Sequence, residues 1–163
     1  MSHTQPRLNF MDQLPALTEK LMAFSLAVSD SHHIRPALAV LVDLRASQLN
    51  GCTFCIDMHV KQARLRGERE LRLHHLAGWR ESQLFSAQER AALAWTEALT
   101  CLAPEGVPDA VYHKVREQFA EQELAALTFH IMSINAWNRA NVAFRTTPGA
   151  LDALFGLEDI DLG

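Results

Sequence analysis

The spacing of apolar residues is the strongest constraint on what this chain can fold into. Long stretches repeat them at helical rather than alternating intervals, and only seven glycines and six prolines interrupt 163 residues. The pattern predicts an all-α protein, one helical domain over residues 1–163. Leu14, Leu17, Leu21, Met22, Phe24 and Leu26 stripe a first helix over about 12–28, which the polar Ser29 to His33 ends. Pro36 suits the first turn of a second helix, from Ala37 to about Leu49, where Leu38, Val40, Leu41, Val42 and Leu44 with few charges indicate burial on most sides.

Asn50-Gly51 can break that helix and expose backbone N–H groups, so the next helix, about 52–66, opens on Cys52-Thr53-Phe54-Cys55 and closes at Gly67. A short helix over Glu68–Ala77 and a connector from Gly78 to Ser82 follow. Ser86 and Glu89 form a capping box before a helix carrying Ala92, Leu93, Trp95, Ala98 and Leu99. Pro104 to Gly106 ends it, and Pro108-Asp109 starts another through about Phe119. The last long helix, about 121–145, carries Leu124, Leu127, Ile131, Ile134, Ala140 and Phe144, and Asn135 to Arg139 in its middle predict a polar network. Thr147-Pro148-Gly149 stops it, leaving a tail with Leu151, Leu154 and Phe155.

Chemistry concentrates at Cys52, Cys55 and His59. At helical spacings of three and four, two thiols and an imidazole share one face. That arrangement suits a redox pair with a local base, or metal ligation. A cysteine attacks as thiolate, so something must lower its pKa from about 8.5. The helix dipole favours Cys52, while His59, one turn from Cys55, favours Cys55. The base carries more weight because a proton relay also explains a His at that spacing, yet the residues alone leave the choice open.

Two rivals stand beside the redox reading. The cysteines can be compact buried residues, or part of a zinc site, although Cys101, His74 and His75 do not form a second ligand pair. A haem attachment needs His directly after Cys55, where Ile56 stands. His32, His33, His74 and His75 read as solvated or capping, Cys101 and most Met and Trp positions as core, and Arg64 to Arg72 as solvated surface.

Charge narrows the partners. Fifteen Lys and Arg against 19 Asp and Glu give a net charge of -4 without a basic stripe, which disfavours nucleic acid and anionic membranes. Met1 to Phe10 lacks the basic and apolar regions of a signal peptide, and no stretch approaches a membrane span, so the expected compartment is the cytoplasm. There a CxxC is more often redox-active or metal-binding than a static disulfide.

From Ser47 through Cys52 and Cys55 to His59 the chain resembles the alkyl hydroperoxidase D (AhpD)-like group of the carboxymuconolactone decarboxylase superfamily. Trp79 to Ser82, Phe85 to Ala92 and Ile134 to Arg139 extend the likeness over about residues 34–145. The resemblance implies a helical homo-oligomer, trimer or hexamer, with the CxxC at the N-terminus of a helix. It implies a hydroperoxide peroxidase or disulfide reductase in which Cys55 is peroxidatic, Cys52 resolves and His59 relays a proton. No metal or organic cofactor is implied; the reductant is a thioredoxin-like or lipoyl-bearing protein. The superfamily's decarboxylase chemistry has no evident use for a redox CxxC.

The family pattern places a Glu twelve residues before the first cysteine, where this chain has Val40. A valine cannot pass a proton. Asp43 is the candidate substitute, against the plainer reading of a solvated or capping carboxylate; Asp57 points elsewhere. Such acid-base help is worth about 10² to 10⁴ in rate, so its loss leaves a slow peroxidase. The alternatives to an enzyme are a thiol redox sensor or oligomeric binding protein, and a zinc-stabilised helical module.

Overall fold

A computed structural model describes residues 5–160; residues 1–4 of the segment weighed above for a leader, and the last three of the 1–163 domain, lie outside that range. The described residues form an all-α fold: α1 (Phe10–Gln13), α2 (Pro15–Asp30), α3 (Pro36–Asn50), α4 (Thr53–Leu65), α5 (Glu70–His75), α6 (Ala87–Thr100), α7 (Asp109–Arg116), α8 (Glu121–Phe144) and α9 (Asp152–Phe155), with a 3₁₀ turn over Leu76–Gly78.

α3 is the central element and packs on α4, α6 and α8. Its sequence explains why: Leu38, Val40, Leu41, Val42 and Leu44 surround the helix and all are buried. Leu38 and Val42 join Trp95, Val115, Leu127 and Ile131 in one apolar cluster. Val40, Leu41 and Leu44 join Ala63, Leu76, Phe85 and Leu93 in another. Each fully buried side chain of this size contributes about 1.5–3 kcal/mol over exposure.

Gly51 ends α3 at φ 66°, a left-handed conformation that favours glycine, and the Cys52 N–H donates back to the Ser47 carbonyl at 3.0 Å. The chain thereby turns sharply enough for α4 to begin at once. A buried amide network holds this bend against α8. Asn50 Nδ2 donates to Asn135 Oδ1 at 3.0 Å and Asn138 Oδ1 at 2.9 Å, and Asn138 Nδ2 donates to Ser47 Oγ at 3.0 Å. The polar network predicted in mid-α8 therefore locates the cysteine motif. The Ser86–Glu89 capping box forms as read, with Glu89 N–H to Ser86 Oγ at 3.2 Å and Ser86 N–H to Glu89 Oε2 at 2.7 Å.

Several expectations are corrected. Pro15 occupies the first turn of α2, which starts later than the apolar stripe suggests, and Leu14, Leu17 and Leu26 of that stripe are exposed. Cys101 is exposed rather than core, because α6 ends at Thr100 and Cys101 leaves the helical path at ψ 63°. Arg72 is not solvated surface: its guanidinium, with a 13% exposed side chain, contacts Glu68 at 2.9 Å and Glu89 at 2.7 Å and donates to the Leu84 carbonyl, tying α5 to α6. Trp79 and Trp95 are core as expected, but Met22 and Met132 are exposed.

Candidate active site

Cys52 is the N-cap of α4, its sulfur accepting the Cys55 N–H at 3.3 Å, and the two cysteines are joined in a disulfide with Cα atoms 5.3 Å apart. Both are buried, beside Phe54, Met58 and Leu151. Cys55 borders a cavity of about 560 Å³. Three helices build its wall by their periodicity. Cys55, Met58, His59 and Gln62 come from one face of α4, Pro36, Ala39 and Asp43 from one face of α3, and His130, Ile134, Trp137 and Asn141 from one face of α8. The tail residues Leu151, Leu154 and Phe155 close another side. A mostly apolar cavity with a few convergent polar groups is the usual form of a small-molecule site.

His59 is buried, and its Nδ1 lies 2.9 Å from Gln62 Oε1 and 3.9 Å from Asp43 Oδ2. An amide oxygen only accepts, so Nδ1 carries the hydrogen and the lone pair of the neutral ring resides on Nε2. His59 Nε2 is buried and has no hydrogen-bond partner among the described residues. An open lone pair on a side chain four residues from Cys55 is what a base for that thiol requires.

Asp43 is neither a solvated nor a capping carboxylate. Its side chain is 17% exposed and lies between two histidines, with Oδ1 2.7 Å from His130 Nε2 and Oδ2 toward His59. Burial alone pushes its carboxyl pKa up, but the charges of His130, His59 and Arg66 outweigh this and hold it below 3.8. For His130 the balance is reciprocal. Burial pushes its pKa down, and the Asp43 carboxylate with a backbone hydrogen bond at Ala39 lifts it above 6.5. Asp43 and His130 thus favour each other's charged form at the cavity wall, through a close charge contact rather than an aligned hydrogen bond, since His130 Nε2 has no hydrogen-bond partner among the described residues.

Val40 takes no part: its side chain is 2% exposed and faces the core cluster, away from the cavity face that Ala39 and Asp43 share. Asp57 turns to Lys61 at 2.7 Å, and Lys61 also holds Asp152 at 2.6 Å, which anchors α9 to α4. His32 borders the cavity, whereas His74 pairs with Glu70 on the surface. No group of three or more His, Cys, Asp or Glu side chains among the described residues is arranged to hold a metal ion. None of their helices is long and apolar enough to cross a membrane.

His130, Gln62 and Asn141 escaped the reading of the sequence. Gln62 had a local signal, since it stands three residues beyond His59 on the same helix face. His130 and Asn141 are three turns apart on α8, on either side of the Asn135 to Arg139 network that drew the reading, and nothing local ties them to α4. Asn141 Nδ2 nevertheless reaches Cys55 Sγ at 3.8 Å.

The sequence model of the carboxymuconolactone decarboxylase family matches residues 15–98. The uncharacterized protein YdfG of Bacillus subtilis is 45% identical over 103 residues, which span 63% of this chain and 70% of that protein. The uncharacterized protein YnjA of Escherichia coli is 35% identical over 108 residues, 66% of this chain and 59% of that protein. A crystal structure of a protein of unknown function from Agrobacterium tumefaciens, proposed to be the antioxidant defence protein AhpD, matches with a TM-score of 0.86 and 37% identity, over 90% of this chain and 99% of that one. The debrominase Bmp8 shares the fold, with a TM-score of 0.74 at 19% identity over 88% of this chain and 77% of its own. With its helical CxxC architecture and these matches, the chain belongs to the carboxymuconolactone decarboxylase family as an AhpD-like member.

Proposed function

We propose that the protein is a thiol peroxidase and disulfide reductase that reduces organic hydroperoxides through the Cys52–Cys55 pair. The observation that carries this reading is that Cys55, paired with Cys52, borders the cavity that also receives His59. In the reduced protein His59 Nε2 takes the Cys55 proton. The thiolate attacks the hydroperoxide, an S–O bond forms as the O–O bond breaks, and the departing alkoxide recovers that proton as an alcohol. Sulfur is oxidised to sulfenic acid and the peroxide is reduced. The Cys52 thiol then attacks the sulfenic sulfur, the disulfide forms and water leaves. An external dithiol returns both electrons by exchange, and a thioredoxin-like or lipoyl-bearing protein fits that role.

No cofactor takes part in this cycle. Asp43 contributes by facing His59 Nδ1 with a carboxylate, which stabilises the imidazolium when His59 is protonated. A homo-oligomer fits the exposed apolar side chains of α2 and α8, Leu17 and Leu26 on one helix and Phe129 and Met132 on the other, which a lone chain leaves in water. The setting is the cytoplasm, where dithiol reductants are supplied.

Intact mass tests the first step. Mild treatment of the reduced protein with an alkyl hydroperoxide should lower its mass by about two daltons, and Cys55→Ser should abolish the loss. No loss in the wild type, or the same loss in Cys55→Ser, overturns the reading. Oxidation without turnover in the presence of peroxide and a dithiol makes the pair a redox sensor instead.

A further inference from the structure

His130 is unused by the cycle above, yet it stands in the same cavity wall. Its Nε2 lies 2.7 Å from Asp43 Oδ1, and the opposite oxygen of the same carboxylate lies 3.9 Å from His59 Nδ1. A carboxylate held at one oxygen has its other oxygen fixed in direction. The groups arranged around Asp43 are His59 and Arg66 from α4 and its C-terminus and His130 from α8, so the single anion is enclosed by potential cations. Val40, at the position where the resemblance implies a relay carboxylate, faces the hydrophobic core. The carboxylate here comes from the next turn of α3 and depends on α8 for its orientation.

We propose that His130 is a positioning residue for the chemistry at Cys55: by its charge contact with Asp43 Oδ1 at 2.7 Å it holds the carboxylate with Oδ2 3.9 Å from His59 Nδ1, where it favours the charge that His59 gains on taking a proton at Nε2, while Gln62 keeps the Nδ1 hydrogen. The proposal rests on His59 being the base, as above, but it concerns how Asp43 is held and not which oxidant Cys55 meets. The order of action is His130, Asp43, His59, Cys55. Asp43 would therefore be nearly inert in the absence of His130, and His130 would act only through Asp43.

The experiment reads Cys55 alone, in a Cys52→Ser, Cys101→Ser background, by its rate of alkylation with iodoacetamide as a function of pH, with no peroxide present. His130→Leu and Asp43→Asn should each slow alkylation at neutral pH by about tenfold or more and move the profile to higher pH. The double variant should be no slower than either single one, because both remove the same coupling. His130→Gln keeps an N–H for Asp43 and should retain a rate within about threefold of the parent; it also serves if His130→Leu does not fold. A parental profile in His130→Leu, additive effects in the double variant, or a loss in His130→Gln as large as that in Asp43→Asn overturns the proposal.

The same variants with Cys52 restored separate this proposal from the functional reading. If peroxide closes the disulfide at the parental rate in His130→Leu, His130 has no positioning role and the peroxidase reading stands. If peroxide closes the disulfide in no variant while the alkylation profiles shift as described, the peroxidase reading fails and the positioning role stands.

Discussion

Asn141 Nδ2 lies 3.8 Å from Cys55 Sγ and also donates to the Trp137 carbonyl at 2.9 Å, so a residue 86 positions along the chain supplies a hydrogen-bond donor to the cavity-facing sulfur. A donor held at a sulfur favours the thiolate over the thiol once the disulfide is reduced. Asn141→Leu should therefore move the pH midpoint of Cys55 alkylation upward. Thermal stability should change little, because Asn141 Oδ1 is already buried without a partner among the described residues and the substitution removes it. Parallel alkylation and melting measurements check both halves of the expectation.

Val40→Glu restores the carboxylate of the related relay on paper. The side chain at this position is 2% exposed and belongs to an apolar cluster with Leu41, Leu44, Ala63 and Leu93. An unpaired buried charge costs about 3–5 kcal/mol, so the variant should be strongly destabilised and should not gain peroxide turnover. Denaturant unfolding measures the first effect, and a coupled dithiol assay the second.

The Asp43–His130 pair gives stability a defined pH dependence. His130 has a folded pKa raised above 6.5, so its contribution is complete below pH 6.5 and is lost as pH rises through the raised value. Asp43 has a folded pKa held below 3.8, so its contribution is present above pH 3.8 and is lost as pH falls through the lowered value. Both are present together between these limits. The melting temperature should decline on the alkaline side of 6.5, and His130→Gln should flatten that part of the curve. Calorimetry across the range tests this, with His59 and Arg66, the other groups facing Asp43, left in place.

Lys61 joins Asp57 on its own helix to Asp152 in the tail, and the tail residues Leu151, Leu154 and Phe155 wall the cavity. The Asp152 and Asp57 contacts raise the Lys61 pKa against the effect of burial, so the ammonium is retained there. Lys61→Met should loosen residues 149–157, seen as faster amide exchange, and weaken binding of bulky apolar hydroperoxides more than of hydrogen peroxide. The α4 core should keep its protection, since Ala63 and Phe54 remain buried.

The sequence by itself determined the helices, the break at Gly51, the capping box at Ser86, and the face shared by Cys52, Cys55 and His59. All of these follow from spacings of three and four residues or from the conformational preferences of single residues, which are local physics. The resemblance to the AhpD-like group singled out Val40 as the position without a carboxylate, and helix spacing then offered Asp43, three residues on, as a substitute. The tertiary structure decided what those residues meet. Whether Asp43 faces solvent or two histidines depends on where α8 crosses α3, and that is fixed by the Asn50, Asn135 and Asn138 amides joining residues some 85 positions apart. His130 and Asn141 acquire their neighbours only there. Cys101 and Arg72 changed character for the same reason: one leaves its helix into water, and the other finds Glu89 across the fold. Periodicity states which side of a helix is apolar, but it carries no information on which polar group from a distant segment arrives at that side.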